Sequence, residues 1–374
     1  MRPPRRYCLD LRTANDHFPG IGRYAVGLFE ALAPLLEAGE ELLVLRDPTR
    51  PTLFTLPDET WPGVSWLDIT VSPFSPAQQW VLPRLLRRRG VALYHSLYLL
   101  MPLWPGMPAV LTVYDLIPLK FPGQSTLKAR LLFRFALWAA LGAARAVTTT
   151  SEASLRDLAV FRPGVEAKTR VVIAGVSPTF TPPEPGVVED VLSRLGIARP
   201  YVLYLGSNKP HKNLGRLLEA WDTVDPHGRS LVLAGVTPEA APPGVASASD
   251  AQPGAVRVLG RVDEGDLPAL YAGADLFVFP SLYEGFGLPV LEALACGAAV
   301  ACSRSSSLPE VAGEAAAYFD PTDVGDMARA IQTLLADDTR REALRSQAQE
   351  RAARFTWAAA ARETLALYRE LVAP

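Results

Sequence analysis

Residues 279–297 read FPSLYEGFGLPVLEALACG, and their punctuation decides more of the fold than any other stretch. The apolar run before Pro280 reads as the end of a strand. Gly285-Phe286-Gly287 is a turn, Pro289 suits the first helical positions, and Gly297 suits the residue just past a helix C-terminus. A strand, a glycine turn and a helix in so few residues form the repeating unit of a parallel sheet covered by helices. Glu284 stands at the mouth of the turn and Glu292 on the helix that follows. The glycines let a ligand approach the backbone, and N–H groups at a helix start attract an anion. Carboxylates accept hydrogen bonds from sugar hydroxyls. The plainer alternative is a tight turn flanked by two solvated glutamates.

The same grammar runs outward in both directions. Short β-rich runs fall at 7–11, 41–45, 64–69, 91–95, 110–114 and 147–150, and again at 201–205, 231–234, 256–259, 276–280, 299–301 and 317–319. Several are continuously apolar, as strands buried on both faces of a parallel sheet are. Helical patterns intervene, among them 23–36, 126–143, 214–220, 289–296 and 355–372. The alternation predicts an α/β chain of parallel sheets with helices on both faces. It breaks at 177–186, SPTFTPPEPG, where five of ten residues are proline or glycine. That stretch reads as the linker between two doubly wound domains, 1–177 and 187–354, with 355–374 as a closing helix. A second proline-rich stretch, 237–254, reads as a surface loop. Ligands of such folds bind beyond the carboxyl ends of the strands, so a cleft between the domains is expected.

Bulk properties set further bounds. A chain of 374 residues exceeds one ordinary core. Hydrophobic residues make up 49% and charged residues 20%, which excludes a disordered chain. Cys8, Cys296 and Cys302 are too scattered for a disulfide framework and fit a reducing compartment. With four histidines and no CxxC pair, a structural zinc site is not expected. The start MRPPRRYCLDLR lacks a signal-peptide core, and no run of about 18 apolar residues occurs, so a cytoplasmic place is expected. The net charge of −2 hides an asymmetry. Residues 1–178 carry 20 Lys and Arg against 14 Asp and Glu, whereas residues 179–374 carry 17 against 25. The halves either meet different partners or are unevenly solvated.

Three other motifs carry candidate chemistry. Residues 201–220, YVLYLGSNKPHKNLGRLLEA, run from a strand into Gly206 and a polar loop holding Ser207, Lys209 and Lys212. Lys212 is placed to offset the charge of a diphosphate. Residues 17–24, HFPGIGRY, give Gly20 and Gly22 in a turn after the first strand, but not the GxGxxG of a dinucleotide fold. Residues 93–96 and 111–115 end two strands with His95 and with Tyr114-Asp115. His95 and Tyr114 are candidate ligand contacts, although a lone histidine is more often structural. Separately, Arg84, Arg87, Arg88 and Arg89 crowd one stretch, and Lys128, Arg130 and Arg134 lie among Leu127, Leu131, Leu132, Phe133, Phe135, Leu137 and Trp138. Basic and apolar residues on one helix suit an anionic membrane surface. The alternative is that 131–138 packs on the sheet and the arginines are solvated.

Glu284, the seven residues GFGLPVL, and Glu292 together resemble the signature of the family 4 glycosyltransferases, retaining enzymes of the GT-B fold. The resemblance extends to the strand-glycine-loop-Lys-Asn-helix of 201–220, to 147–180 with TTTSEAS and VVIAGVSPTF, and to the helix after Phe355-Thr-Trp357. It implies two Rossmann-like domains facing a cleft, with the acceptor on the first, the donor on the second and the last helix crossing back. It further implies that Glu284 and Lys212 serve catalysis. Glu292 would bind the nucleotide ribose, while Gly206, Ser207, Lys209 and the Phe286, Gly287 and Leu288 amides would hold donor sugar and phosphates. Gly20, Gly22, Tyr114 and His95 would line the donor side of the first domain. Two departures stand out: Ser207 replaces a frequent arginine, and Tyr114 replaces a frequent histidine. The GIGRY and PHKN loops resemble mannosyl- and other hexosyltransferases of surface polysaccharide assembly, so GDP-mannose is the leading donor. A glycan or lipid-linked acceptor, no metal or other cofactor, no nucleic acid, and peripheral contact with the inner face of an anionic membrane complete the expectation. A nucleotide-sugar epimerase and a non-catalytic nucleotide-sugar binder are the alternatives.

Overall fold

The computed structural model describes residues 4–15, 19–50, 61–241 and 254–373. The chain divides into two compact units, one of Met1–Gly175 with Thr356–Pro374 and one of Val176–Phe355.

The first unit holds seven parallel strands, β1 (Arg5–Asp10), β2 (Glu40–Arg46), β3 (Val64–Asp68), β4 (Val91–Ser96), β5 (Ala109–Thr112), β6 (Ala146–Thr149) and β7 (Thr169–Val171), in the order β3-β2-β1-β4-β5-β6-β7. The central strands are apolar and buried because helices cover both faces. The order reverses between β1 and β4, which is where such sheets open a crevice. β7 was not foreseen: three residues, TRV, half exposed at a sheet edge, show no periodicity to read. β5 stops at Thr112, before Tyr114. The first helix, Pro19–Leu32, begins four residues earlier than its apolar pattern suggested. Gly20 and Gly22 therefore lie in its opening turn rather than in a loop before it, and His17 lies outside the described residues. The helix Trp357–Leu371 packs on this unit, where Gly27 lies so close to the Trp357 ring that a Cβ would fall 2.3 Å from it.

The second unit has six parallel strands, β8 (Tyr201–Leu205), β9 (Ser230–Ala234), β10 (Val256–Gly260), β11 (Leu276–Phe279), β12 (Val300–Ser303) and β13 (Ala316–Phe319), in the order β10-β9-β8-β11-β12-β13. Here β8 and β11, distant in sequence, are neighbours at the reversal point, with Leu276 beside Val202 and Phe277 beside Leu203. The loops that leave them are thereby brought side by side. The proline-rich stretch 177–186 ends inside a helix, Pro185–Arg194, because Pro185 occupies a first-turn position where its missing N–H costs nothing. Of the second proline-rich stretch, Pro238–Ala240 forms one turn of 3-10 helix and residues 242–253 lie outside the described residues.

Candidate functional site

The loop leaving β8 is fixed before it reaches its lysines. The Gly206 N–H donates to the Ala234 carbonyl at 2.9 Å, and the Tyr204 hydroxyl donates to the Ser207 carbonyl at 3.0 Å. A Cβ on Gly206 would meet the Tyr204 hydroxyl at 3.0 Å, so glycine keeps the clip short. Lys209 is exposed and Ser207 half buried. The chain then makes one 3-10 turn, Pro210–Lys212, and Asn213 adopts the left-handed conformation with φ 61°. Its Nδ2 donates to the carbonyls of Pro280, at 3.0 Å, and Pro321, at 2.7 Å. The Leu282 N–H donates to the His211 carbonyl at 2.8 Å. These bonds sew the β8 loop to the β11 loop.

Lys212 consequently meets Glu284, with Nζ 2.7 Å from Oε1. Both side chains are largely shielded, 16% and 11% exposed, and the Lys212 ammonium also lies 5.0 Å from the Phe279 ring centroid. A pair this sheltered holds strongly only while both partners remain, since removing one strands the other charge. His211 beside it is pushed down to about 4, first by burial and then by Lys212, so it is neutral near pH 7.

The Glu284 loop is braced from a third side by a serine run that sequence reasoning missed. The Glu284 N–H donates to Ser306 Oγ at 2.8 Å, and the Ser305 hydroxyl donates to the Ser281 carbonyl at 3.0 Å. The Ser307 hydroxyl lies within donating reach of the carbonyls of Glu284, at 3.0 Å, and Phe286, at 2.6 Å. The signal was a serine run just past a strand, but its target depends on β12 lying next to β11. Gly287 has φ 113° and precedes the helix Leu288–Ala295, and a Cβ there would fall 2.7 Å from Leu308 Cδ2. Among the described residues, no protein acceptor takes the N–H groups of Phe286, Gly287 and Leu288. Successive unpaired amides at a helix start form an anion-attracting concavity.

Glu292 lies on the helix Leu288–Ala295 that follows the turn, as the sequence places it. It is 2% exposed, and its Oε2 accepts a hydrogen bond from the Tyr271 hydroxyl at 3.0 Å. It belongs to the buried face of its helix. Burial, and then the nearby Glu292 carboxylate, raises the Cys296 thiol above its usual range.

In the first unit His95 is wholly buried. One ring nitrogen is 2.5 Å from the Tyr368 hydroxyl and the other 2.7 Å from Thr112 Oγ1, which itself lies 2.8 Å from Thr148 Oγ1. Burial pushes it down to about 3, so it is a neutral core residue. This corrects the reading of His95 as a ligand contact, because both nitrogens are already used. Tyr114 packs edge-on against Tyr24, with centroids 5.1 Å apart, and its buried hydroxyl has no hydrogen-bond partner among the described residues. At the end of β1, Asp10 accepts from Arg12 Nε at 2.8 Å and Nη2 at 2.6 Å and from the Tyr94 hydroxyl at 2.7 Å. Arg12 also donates to the Val71 carbonyl at 2.6 Å. Gly20 is exposed, with no described atom within 4 Å of where a Cβ would stand, and Gly22 is buried.

Comparison with known proteins adds four findings. Residues 194–351 match the family model described as glycosyl transferases group 1. Over 206 residues the chain is 37% identical to O-antigen chain mannosyltransferase B of Escherichia coli, covering 52% of each chain, so it spans about half the length of that relative. Over 292 residues it is 30% identical to the alpha-maltose-1-phosphate synthase of Mycolicibacterium smegmatis, covering 72% of this chain and 74% of that protein. Among solved structures, sucrose-phosphate synthase from Thermosynechococcus elongatus superposes with a TM-score of 0.72 at 23% identity, over 99% of both chains. That likeness establishes the fold, two parallel-sheet α/β units of the GT-B class.

Proposed function

This chain belongs to the group 1 glycosyl transferases, and from that premise we propose that it is a retaining hexosyltransferase which moves mannose from GDP-mannose to a hydroxyl of a glycan or a lipid-linked sugar. The observation that carries the reading is the Lys212–Glu284 pair beside the open Phe286, Gly287 and Leu288 amides. An ammonium and a row of N–H groups suit a diphosphate, and a carboxylate between them suits sugar hydroxyls. The relative named as an O-antigen chain mannosyltransferase supports mannose as the sugar.

In the proposed reaction the acceptor hydroxyl attacks C1 of the donor sugar on the face from which the diphosphate departs. The bond from C1 to the acceptor oxygen forms as the bond from C1 to the phosphate oxygen breaks. The acceptor proton passes to a phosphate oxygen, so no side chain serves as base. Lys212 and the loop amides offset the charge that grows on the leaving diphosphate. Glu284 orients the sugar, and Glu292 accepts from the nucleotide ribose. The reading includes no bound metal. A lipid-linked acceptor would carry with it a peripheral place at an anionic membrane.

A thermal-shift panel of nucleoside diphosphates and nucleotide sugars tests the donor. A ligand at a hundred times its Kd stabilises by about 2.7 kcal/mol, and GDP and GDP-mannose are expected to give the largest shifts. Transfer from GDP-mannose to mannose-terminated glycans, followed by NMR of the new anomeric centre, tests the chemistry. An α product formed in the presence of a chelator is expected. A β product would overturn retention, and release of free epimerised nucleotide sugar without acceptor would overturn transfer.

A further inference from the structure

The helices Gln78–Arg88 and Leu127–Ala143 of the first unit carry apolar side chains on the wrong side for packing. In the second helix, Leu137, Ala140 and Leu141 face the core, while Leu131, Leu132, Phe135 and Trp138 are all more than half exposed. Their spacing of three and four residues sets them on one outward stripe. This excludes the reading in which 131–138 simply packs on the sheet. In the first helix Trp80 is likewise more than half exposed, and Trp104, just before β5, is 79% exposed.

These residues lie on one side of the sheet. The crossovers from β3 to β4 and from β5 to β6 move in the same direction along the strand order, and right-handed connections then put both helices on the same face. Leu82 and Leu86 of the first helix and Leu137, Ala140 and Leu141 of the second belong to a single core cluster, as that arrangement requires. The outward surface of this layer is therefore continuous in kind. These two helices are also charged with one sign: Arg84, Arg88, Lys128 and Arg134 are exposed on them, and neither contains an aspartate or glutamate.

We propose that this outward face docks on the surface of a bilayer containing anionic lipid, with Leu131, Phe135, Trp138 and Trp80 entering the headgroup region and the four basic side chains meeting lipid phosphates. Aromatic rings with a polar edge suit that depth, and long basic side chains reach from it to the headgroups. Each basic residue raises partitioning onto an anionic surface about fivefold at physiological salt. A neutral partner surface would leave the arginines unmatched and a second copy of the same face would repel, whereas an anionic bilayer surface offers both phosphates for the basic side chains and an interface for the aromatic rings. The inference rests on this surface alone and deepens the lipid-linked side of the proposed function.

Vesicle flotation tests it. The full chain is mixed with vesicles of phosphatidylcholine alone or of phosphatidylcholine with phosphatidylglycerol. Binding is measured at about 0.1 M and about 1 M salt, where the screening length falls from about 10 Å to about 3 Å. Binding to the anionic vesicles alone, lost at high salt, is expected. The double variant Phe135→Ser, Trp138→Ser is expected to lower it at least about tenfold, since two aromatic anchors are removed. Its melting temperature and GDP affinity should be unchanged, which separates failure of docking from failure of the donor site. Equal binding to both vesicle types, binding to neither, or binding indifferent to the double variant would overturn the proposal. So would a lipid-free dimer that the variant converts to monomer, because the face would then be a self-association surface.

Discussion

At the scale of single residues, the site turns on charges that the fold has partly withdrawn from water. Glu284 and Lys212 are each other's partner, and each should matter differently. Glu284→Gln keeps the shape and removes the charge, so turnover should fall while GDP affinity changes little, because the contact proposed for it is to the sugar. Equal losses in both would move Glu284 to the nucleotide. Glu292→Ala should weaken GDP and GDP-mannose alike, by about 1.5–3 kcal/mol for a hydrogen bond to a charged group. The variant also removes the acceptor of the Tyr271 hydroxyl, so affinity must be measured on protein shown to be folded. Unchanged GDP affinity by calorimetry would remove Glu292 from the ribose. These residues could be picked out as candidates from the chain, because two glutamates around a glycine turn after a strand resemble a family signature. Their burial could not be read from it. Nothing in LPVLEALA says that Glu292 faces Tyr271, or that His95 is spent on Thr112 and Tyr368.

At the scale of elements, the strands were legible because buried parallel strands are continuously apolar and end at glycine or proline. The second unit's strand Tyr201–Leu205 begins and ends where its apolar run does. The failures have physical causes. β7 is too short and too exposed to carry a pattern, and Pro19 opened a helix where two glycines looked like a turn. The serine run 305–307 was invisible because it acts across strands, on a loop some twenty residues away in sequence. Gly287 is the element whose requirement is sharpest: its φ is 113° and a Cβ would collide with Leu308. Gly287→Ala is expected to cost about 1–3 kcal/mol from backbone strain alone, read by urea denaturation, and to weaken GDP binding by shifting the adjacent amides. Unaltered stability and affinity would mean that the turn is less constrained than its geometry implies.

At the scale of the whole molecule, two buried neutral histidines make stability depend on pH. His95 is pushed down to about 3 and His211 to about 4. Both folded values lie below the unfolded value of about 6.5, so the unfolded chain binds protons that the folded chain refuses. Their stabilisation is full above about 6.5 and declines as pH falls, by up to about 1.4 kcal/mol per pH unit for each group. Asp10 adds to the trend at lower pH: burial raises its carboxyl, but Arg12 more than offsets this and lowers it overall. Urea melts at about pH 7 and about pH 5 should show lower stability at the acid value, and His95→Gln should reduce the difference. A flat profile would contradict the burial of both rings. The central claim is that the second unit's paired loops hold a donor diphosphate through Lys212. Calorimetric titration of GDP into the wild-type chain and into Lys212→Ala tests it most directly. The account predicts measurable affinity in the first and, with a charge-assisted contact worth about 1.5–3 kcal/mol removed, a loss of roughly ten- to a hundredfold in the second. Equal GDP affinity in a folded Lys212→Ala protein would contradict it and turn attention to Lys209.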